Sequence, residues 1–294
     1  MNIGVTGANG FIGQNLCSAL LKRKCSLKID KLETFDRHKY SLEDVSSIER
    51  FINDKDVVFH LAGINRENST SKFITVNTLG TLNLLEAIRL SSSNNRVHLV
   101  FSSSLQVYGF RPTPERLSED SPLRPSNIYG LSKKFAEELI YRYCVDYGIQ
   151  GLILRLSNVY GPGCKPNYNS VVSTFICSAL RKEPIVIRGG GNSSRDFVYI
   201  DDVVEANMSS MLYANNSPEI FNICSGGSTS LTDLIRAISS TSGLDIQAEI
   251  REEGTVDFLV GDPSRSQKKL GFKSKISLDE GLRRTINWFR GESE

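Results

Sequence analysis

Tyr129 and Lys133, four residues apart, form the pair with the clearest chemical potential in this chain. They open a helical pattern over 130–146, so both side chains lie on one face of the helix. A tyrosine hydroxyl, with a pKa of about 10, is a poor acid–base group at neutral pH. A neighbouring ammonium favours the phenolate and brings its pKa towards the working range. The pair therefore predicts an acid–base tyrosine, although this spacing is common and needs support from the rest of the chain.

A glycine-rich segment near the start of the chain has the composition of a phosphate-binding turn. It reads Gly7-Ala8-Asn9-Gly10-Phe11-Ile12-Gly13, between a predicted strand and a predicted amphipathic helix. Glycine permits a tight turn, backbone approach to a pyrophosphate and close helix–strand packing. The helix N-terminus adds N–H donors and partial positive charge. We therefore expect a dinucleotide to contact Gly7, Gly10, Phe11, Ile12 and Gly13.

The elements that must position these residues alternate in type along the chain. Strands are predicted over 2–6, 32–36, 57–60, 97–101 and 152–155, and helices over 12–24, 45–53, 72–90, 130–146, 202–213, 230–240 and 278–290. The alternation in the first half predicts an α/β fold, a Rossmann-type doubly wound parallel sheet covered by helices. We place the dinucleotide-binding domain at 1–162. A smaller, mainly substrate-binding C-terminal portion at 163–294 is interleaved with it.

Several segments, taken in order, resemble the NAD-dependent epimerase/dehydratase family, the extended short-chain dehydrogenases/reductases. They are the G-x-x-G-x-x-G loop, His60-Leu61-Ala62-Gly63, SSSLQVYG at 102–109, RLSNVYGP at 155–162 and GGGNSSRDFVYIDDV at 189–203. The resemblance implies a UDP-sugar or another nucleoside-diphosphate sugar as substrate. It also implies NAD(H) or NADP(H) as cofactor and a homodimer.

The resemblance also implies roles at the catalytic centre. Ser104 is expected to hydrogen-bond the reacting sugar oxygen beside Tyr129, while Lys133 holds the cofactor ribose. The residues after His60, which are Leu61, Ala62 and Gly63, are expected to pass close to the cofactor. A plain turn at the end of a strand is the alternative for this segment.

On the substrate side, the resemblance implies that Asn158 and Arg195 contact the substrate diphosphate, which suits the charge and fork of a guanidinium. A structural Arg–Asp pair is the alternative for Arg195. Arg265 is expected near the nucleotide, with a helix cap and a solvated basic face as the alternative. The acidic pair at 201–202 is expected to cap the next helix.

The preference between the two cofactors depends on the end of the second strand. Asp36 can bind the ribose hydroxyls, which favours NAD, whereas Arg37 can hold a 2′-phosphate. An ordinary solvated loop pair is the third interpretation. If the strand instead covers 27–29, Asp30 takes the place of Asp36.

The residues after Ser104 restrict the reaction. The family's 4,6-dehydratases carry an Asp-Glu pair there and its decarboxylases a Glu, because those reactions need a titratable group. Leu105 and Gln106 stand here instead, and we expect Gln106 to contact the substrate. This leaves a 4-keto reductase or a 4-epimerase.

A more local resemblance favours the reductase. HLAGINR at 60–66, SSSLQ and CKPNYNS at 164–170 are similar to the reductase domain of capsular-sugar 4-keto reductases. Lys165 and Asn167 fall in its substrate loop. The favoured prediction is NAD(P)H-dependent reduction of a UDP-(2-acetamido-2,6-dideoxy)-hexos-4-ulose for surface polysaccharide. The alternatives are an NAD-dependent UDP-glucose or UDP-GlcNAc 4-epimerase and, from another class, a non-catalytic cofactor-sensing protein.

Composition excludes several other functions. The 294 residues carry 35 Lys and Arg against 33 Asp and Glu, which gives no reason to expect nucleic acid or a membrane surface as partner. The six cysteines form no C-x-x-C pair and there are three histidines, so we expect no metal. The start at Met1 has no leader-like pattern and no apolar run reaches the roughly 20 residues of a membrane span, so we expect a cytoplasmic protein.

Overall fold

The computed structural model describes residues 1–91, 97–168, 170–213 and 218–291. The strands are β1 (Asn2–Thr6), β2 (Lys31–Thr34), β3 (Val57–His60), β4 (His98–Ser104), β5 (Arg116–Leu117), β6 (Gln150–Leu156), β7 (Asn158–Tyr160), β8 (Ile185–Ile187), β9 (Ser194–Arg195), β10 (Phe197–Tyr199), β11 (Glu219–Ile223), β12 (Thr229–Ser230), β13 (Ala248–Ile250) and β14 (Phe258–Gly261). The helices are α1 (Phe11–Lys22), α2 (Val45–Ile52), α3 (Thr70–Phe73), α4 (Gly80–Leu90), α5 (Ile128–Tyr147), α6 (Val171–Leu180), α7 (Ile200–Met211), α8 (Leu231–Ser242), α9 (Ser264–Leu270) and α10 (Leu278–Arg290). A π-helical segment (Ile74–Leu79) joins α3 to α4, and 3₁₀ turns cover Leu105–Val107 and Gly189–Gly191.

Within the described ranges, the main sheet has six strands in the order β2-β1-β3-β4-β6-β11. The pairs β1–β2, β1–β3 and β3–β4 are parallel. Strands β3 and β4 are buried along their whole length, as expected where helices cover both faces of a parallel sheet. The Rossmann-type α/β prediction is confirmed. Because the chain leaves β1 in one direction for β2 and returns on the other side for β3, the carboxyl ends of β1 and β3 form the switch point where such sheets bind ligands.

A cluster of buried apolar side chains packs helices against this sheet. Phe51 of α2, Ile88 of α4, Ile140 of α5 and Phe101 of β4 belong to it. Burial of these side chains contributes most of the favourable free energy that holds the helices in place. Within the described ranges, none of the helices combines the length and the apolarity that crossing a bilayer would require.

The described residues form two compact units with interleaved segments. The first unit holds Met1–Tyr108, Pro122–Arg155 and Val204–Phe221, and the second holds Gly109–Ser121, Leu156–Val203 and Asn222–Glu294. This division differs from a boundary at residue 162. Residues 109–121 and 156–162 fall in the second unit, while 204–221 returns to the first and supplies most of edge strand β11.

Other differences from the predicted elements have local causes. The helix expected over 72–90 begins at Thr70 and contains the π-helical turn, which a pattern with a period of 3.6 residues does not reveal. The strand expected over 97–101 continues to Ser104, because its polar end is buried and hydrogen-bonded. Strand β2 ends at Thr34, two residues before Asp36.

Candidate active site

The glycine loop has the geometry of a backbone cradle. Gly7 has a φ of +72°, and a Cβ there would lie 2.6 Å from the backbone nitrogen of Ala62. The N–H of Gly10 donates to the Gly7 carbonyl at 2.9 Å, and α1 starts at the next residue, Phe11. A Cβ on Gly13 would overlap the same carbonyl. The start of α1 thus lies behind a turn in which Gly7, Gly10 and Gly13 carry no side chains, and this arrangement fits a dinucleotide pyrophosphate.

The segment after β3 is joined to this loop by hydrogen bonds. The hydroxyl of Thr6 lies 2.7 Å from Nδ1 of His60 and accepts from the N–H of Ala62 at 3.2 Å. Burial, together with the charge of Lys133, lowers the pKa of His60 to about 3, so the imidazole is neutral and structural. Residues 61–63 consequently lie beside the glycine loop at the switch point.

Lys133 is buried next to the same segment. Its Nζ donates to the Ser102 carbonyl at 2.8 Å and lies 4.6 Å from the centre of the Phe101 ring. A Cβ on Gly63 would lie 3.3 Å from this nitrogen. Burial lowers the pKa of Lys133 to about 8, while the Glu137 carboxylate opposes that change. The ammonium therefore persists at neutral pH and titrates just above it.

Ser104 and Tyr129 lie on segments that pack against each other. A Cβ on Gly130, in the first turn of α5, would overlap the Gln106 carbonyl, so helix and turn approach closely. The Ser104 hydroxyl accepts the Gln106 N–H at 3.2 Å. The Tyr129 ring packs edge-on against Phe73, with centroids 6.4 Å apart. The start of α5, which carries Tyr129, thus lies against the turn that follows Ser104.

A buried charged network supports this arrangement, and the sequence did not predict it. The Glu137 carboxylate accepts the Ser103 hydroxyl and pairs with Arg155 through Nη2 at 2.7 Å and Nε at 3.1 Å. Arg155 also donates to the Tyr108 hydroxyl at 2.8 Å. Burial alone would lower the pKa of Arg155, but Glu137 keeps it above its usual value. The network connects α5 to the residues on both sides of Ser104. The feature of the sequence that could have indicated it is the position of Glu137, one helical turn after Lys133.

Asn77 is a second supporting residue that the sequence did not reveal. It lies in the π-helical turn, accepts the N–H of Ile64 at 2.9 Å, and donates to the Ile64 carbonyl and the Ser132 hydroxyl, both at 2.9 Å. It therefore connects the segment after Gly63 to the residue before Lys133. π-Helical turns are frequent at functional sites.

The two alternatives for the ribose carboxylate occupy opposite ends of β2. Asp30 precedes the strand and pairs with the N-terminal amine of Met1. Asp36 follows it, on the side of the glycine loop, and its Oδ1 accepts the His38 N–H at 2.9 Å. Arg37 is exposed beside it. Of these two carboxylates, Asp36 is therefore the one at the carboxyl end of β2.

In the second unit, the expected diphosphate residues are held by protein groups. Arg195 pairs with Asp257 at 2.6 Å and stacks 4.5 Å from the Phe110 ring centre. These are the contacts of a structural Arg–Asp pair, the alternative to a diphosphate ligand. Asn158 donates to the Asp196 carbonyl at 3.0 Å. Buried Asp196 in turn accepts N–H groups of the loop at 225–226, and burial raises its pKa.

Other predicted residues of this unit are more exposed. Arg265, on α9, pairs with Asp120 at 2.6 Å. Lys165 and Asn167 lie on the surface, where Asn167 has a φ of +58° and its N–H donates to Thr174. Asn169, part of the CKPNYNS run, lies outside the described residues.

The acidic pair at 201–202 differs from its predicted role. Both residues lie in the first turn of α7 and do not precede it. Asp202 instead accepts the N–H groups of Lys275 and Ile276, each at 3.1 Å, and Asp201 pairs with Arg284 at 3.5 Å. These carboxylates therefore hold the segment before α10.

Comparison with known proteins identifies relatives that match most or all of the chain. The model of the NAD dependent epimerase/dehydratase family matches residues 3–224. A putative UDP-glucose 4-epimerase of Methanocaldococcus jannaschii is 36% identical, over 98% of this chain and 98% of that protein. A UDP-2-acetamido-2,6-beta-L-arabino-hexul-4-ose reductase of Pseudomonas aeruginosa is 37% identical, over 72% of this chain and 50% of that protein. The crystal structure of a Thermus thermophilus UDP-glucose 4-epimerase in complex with NAD is similar with a TM-score of 0.85 at 29% identity, covering 100% of both chains.

Proposed function

Because the chain belongs to the NAD dependent epimerase/dehydratase family, we propose that it is an NAD-dependent UDP-hexose 4-epimerase. The observation that carries this proposal is the 36% identity to a putative UDP-glucose 4-epimerase over 98% of both chains. The fit of the glycine loop to a dinucleotide supports it. The 4-epimerase is thus preferred to the 4-keto reductase, whereas the sequence motifs favoured the reductase.

The chemistry requires one acid–base group at the sugar C4 oxygen. Tyr129, as phenolate, takes the proton of the C4 hydroxyl and later returns it, while Ser104 hydrogen-bonds the same oxygen. Lys133 favours the phenolate by its charge. When bound, NAD supplies the carbon that accepts a hydride from C4 and gives it back. Between these steps the 4-keto sugar rotates in the site, so that the hydride returns to the opposite face of C4.

The turn after Ser104 argues against elimination and decarboxylation. Leu105 is buried, and the amide of Gln106 does not titrate, so neither supplies the extra proton transfer that those reactions need.

A 4-keto reductase is the second candidate. The 37% identity to the Pseudomonas aeruginosa reductase favours it, although the match spans 50% of that protein. The HLAGINR and CKPNYNS runs favour it as well. Both reactions use the same hydride transfer and the same Ser104, Tyr129 and Lys133.

For the substrate diphosphate, we propose contacts from Asn158 and Arg195. We propose that Lys165 and Asn167 contact the sugar nucleotide from the loop at 164–170, and that Arg265 lies near the nucleotide. The Asp257 carboxylate partly offsets the charge of Arg195 and orients its planar fork, which is a suitable donor array for phosphate oxygens.

Incubation with candidate sugars tests the choice between the two reactions. Without added reductant, the protein is expected to interconvert UDP-glucose with UDP-galactose or UDP-GlcNAc with UDP-GalNAc. A matched reaction contains a 4-keto-6-deoxy UDP-sugar with NADH or NADPH. Stoichiometric oxidation of the nicotinamide there, without interconversion in the first reaction, would establish the reductase.

Replacement of Asp36 tests the cofactor assignment. Asp36→Asn preserves the oxygen that accepts the His38 N–H but removes the charge that binds a ribose diol and repels a 2′-phosphate. We expect NAD to bind at least about 10-fold more weakly, since a hydrogen bond to a charged group contributes about 1.5–3 kcal/mol. The affinity for NADP should rise relative to that for NAD. Titration of both cofactors measures the ratio, with Asp30→Asn as the control. An unchanged ratio would assign Asp36 to the loop alone.

A further inference from the structure

The side-chain amide of Gln106 has a defined orientation, because a backbone donor determines it. The N–H of Gly130 donates to one side-chain atom of Asn127 at 2.8 Å. A backbone N–H can only donate, so that atom is Oδ1 and the other is the Nδ2 amide. Nδ2 lies 2.8 Å from Gln106, whose facing atom must accept and is therefore Oε1. Both hydrogens of the Gln106 amide nitrogen point away from Asn127.

The same logic applies to the hydroxyl of Ser104. It accepts the backbone N–H of Gln106 at 3.2 Å, and this leaves its own hydrogen to be donated elsewhere. The turn after β4 thus presents two donors, one from Ser104 and one from Gln106. Gln106 is half-buried and its carbonyl lies against Gly130, beside Tyr129.

We propose that Asn127 is a positioning residue that holds the Gln106 amide with its N–H donors towards an acceptor oxygen on the bound sugar, such as the carbonyl of a 2-acetamido group. This inference rests on the proposed function, because it assumes a sugar nucleotide beside Ser104 and Tyr129. A carbonyl or carboxylate oxygen on the sugar can only accept a hydrogen bond. Its recognition therefore requires that the Gln106 amide present its nitrogen and not its oxygen. A hydroxyl can donate or accept, and it tolerates a reversed amide.

Asn127→Asp reverses the amide while preserving the helix start. Aspartate caps a helix as well as asparagine does, so α5 should begin as before. A carboxylate cannot donate, so Gln106 must turn its nitrogen to the introduced carboxylate and its oxygen to the sugar. We expect the Kd of UDP-GlcNAc, whose acetamido carbonyl only accepts, to rise about 10-fold or more. The Kd of UDP, which has no sugar, should stay within about 2-fold, and Tm should not change.

Two further variants separate positioning from structure. Asn127→Ser keeps the cap but is too short to reach Gln106, so the amide is released without being reversed and the loss should be smaller. In a Gln106→Leu background, Asn127→Asp should have no additional effect on the Kd of UDP-GlcNAc. Calorimetry reports these affinities whether or not turnover occurs, so a wild-type protein that binds UDP-GlcNAc but epimerises neither it nor UDP-glucose contradicts the proposed function alone.

Two results would overturn the inference. One is an unchanged Kd of UDP-GlcNAc in Asn127→Asp. The other is a loss of equal size in the Gln106→Leu background, which would show that Asn127 does not act through Gln106. If Tm also falls in Asn127→Asp, the Gln106→Leu comparison decides, since a purely structural defect persists there and a positioning effect disappears.

Discussion

Replacing Tyr129 with phenylalanine is expected to lower kcat by about 10²–10⁴, the usual contribution of a positioned acid–base group. The substitution removes the transferable proton but keeps the ring that packs edge-on against Phe73. Cofactor and UDP-sugar affinities should therefore stay within a few-fold of wild type. Steady-state kinetics and equilibrium titrations measure the two effects separately.

Tyr141→Phe is the matched control, because Tyr141 lies on the same helix with half of its side chain exposed. It should leave kcat unchanged. A Tyr129→Phe enzyme that retains more than half of the wild-type kcat would show that another group transfers the proton.

Since the pKa of Lys133 is lowered to about 8, wild-type kcat/KM should decline as the pH rises above that value and the ammonium is lost.

Glu137→Ala is expected to lower the free energy of unfolding by about 3–5 kcal/mol, because removing one partner of a buried ion pair leaves an uncompensated charge. The charge left behind is Arg155, whose side chain is 2% exposed, and the Ser103 hydroxyl loses its acceptor as well. Denaturant unfolding measures this change.

Glu138→Ala provides the control, since its neighbouring carboxylate is exposed and its removal should alter stability by less than about 0.5 kcal/mol. The double variant Glu137→Met, Arg155→Met should recover most of the loss, as apolar replacement of a buried pair is often neutral. Equal loss in the single and double variants would mean that packing, and not the unpaired charge, causes the effect.

In Glu137→Gln, the alkaline decline of kcat/KM should move to lower pH, because Glu137 raises the pKa of Lys133.

The parts of the site predicted from the sequence are those governed by local geometry. Gly7 has a positive φ and meets the backbone of Ala62, so the residue type itself signals the turn. Tyr129 and Lys133 are one helical turn apart, which a linear spacing can express. Asp36 still follows the carboxyl end of β2, although the strand ends two residues earlier than predicted, because such a shift in a strand boundary does not move a residue to the other end of the strand.

The supporting contacts could not be predicted, because they join residues that are distant in the chain. Glu137 and Arg155 meet between a helix and a strand, and the periodicity of each element predicts a buried face but not a partner. Asn77 depends on a π-helical turn that the apolar pattern does not distinguish from an α-helix. The ion pair of Arg195 with Asp257 likewise needs the pairing of β9 with β14.

The fate of the hydrogen at sugar C4 tests the central claim most directly. UDP-glucose carrying deuterium at C4 is incubated with the purified protein without added reductant, and the product is analysed by mass spectrometry and NMR. The proposed epimerase predicts UDP-galactose that retains deuterium at C4, with no net change in the absorbance of reduced nicotinamide, and the same result for the acetamido sugars if these are the substrates. Loss of deuterium to solvent, or product formed only as one NADH or NADPH is consumed per turnover, would contradict it.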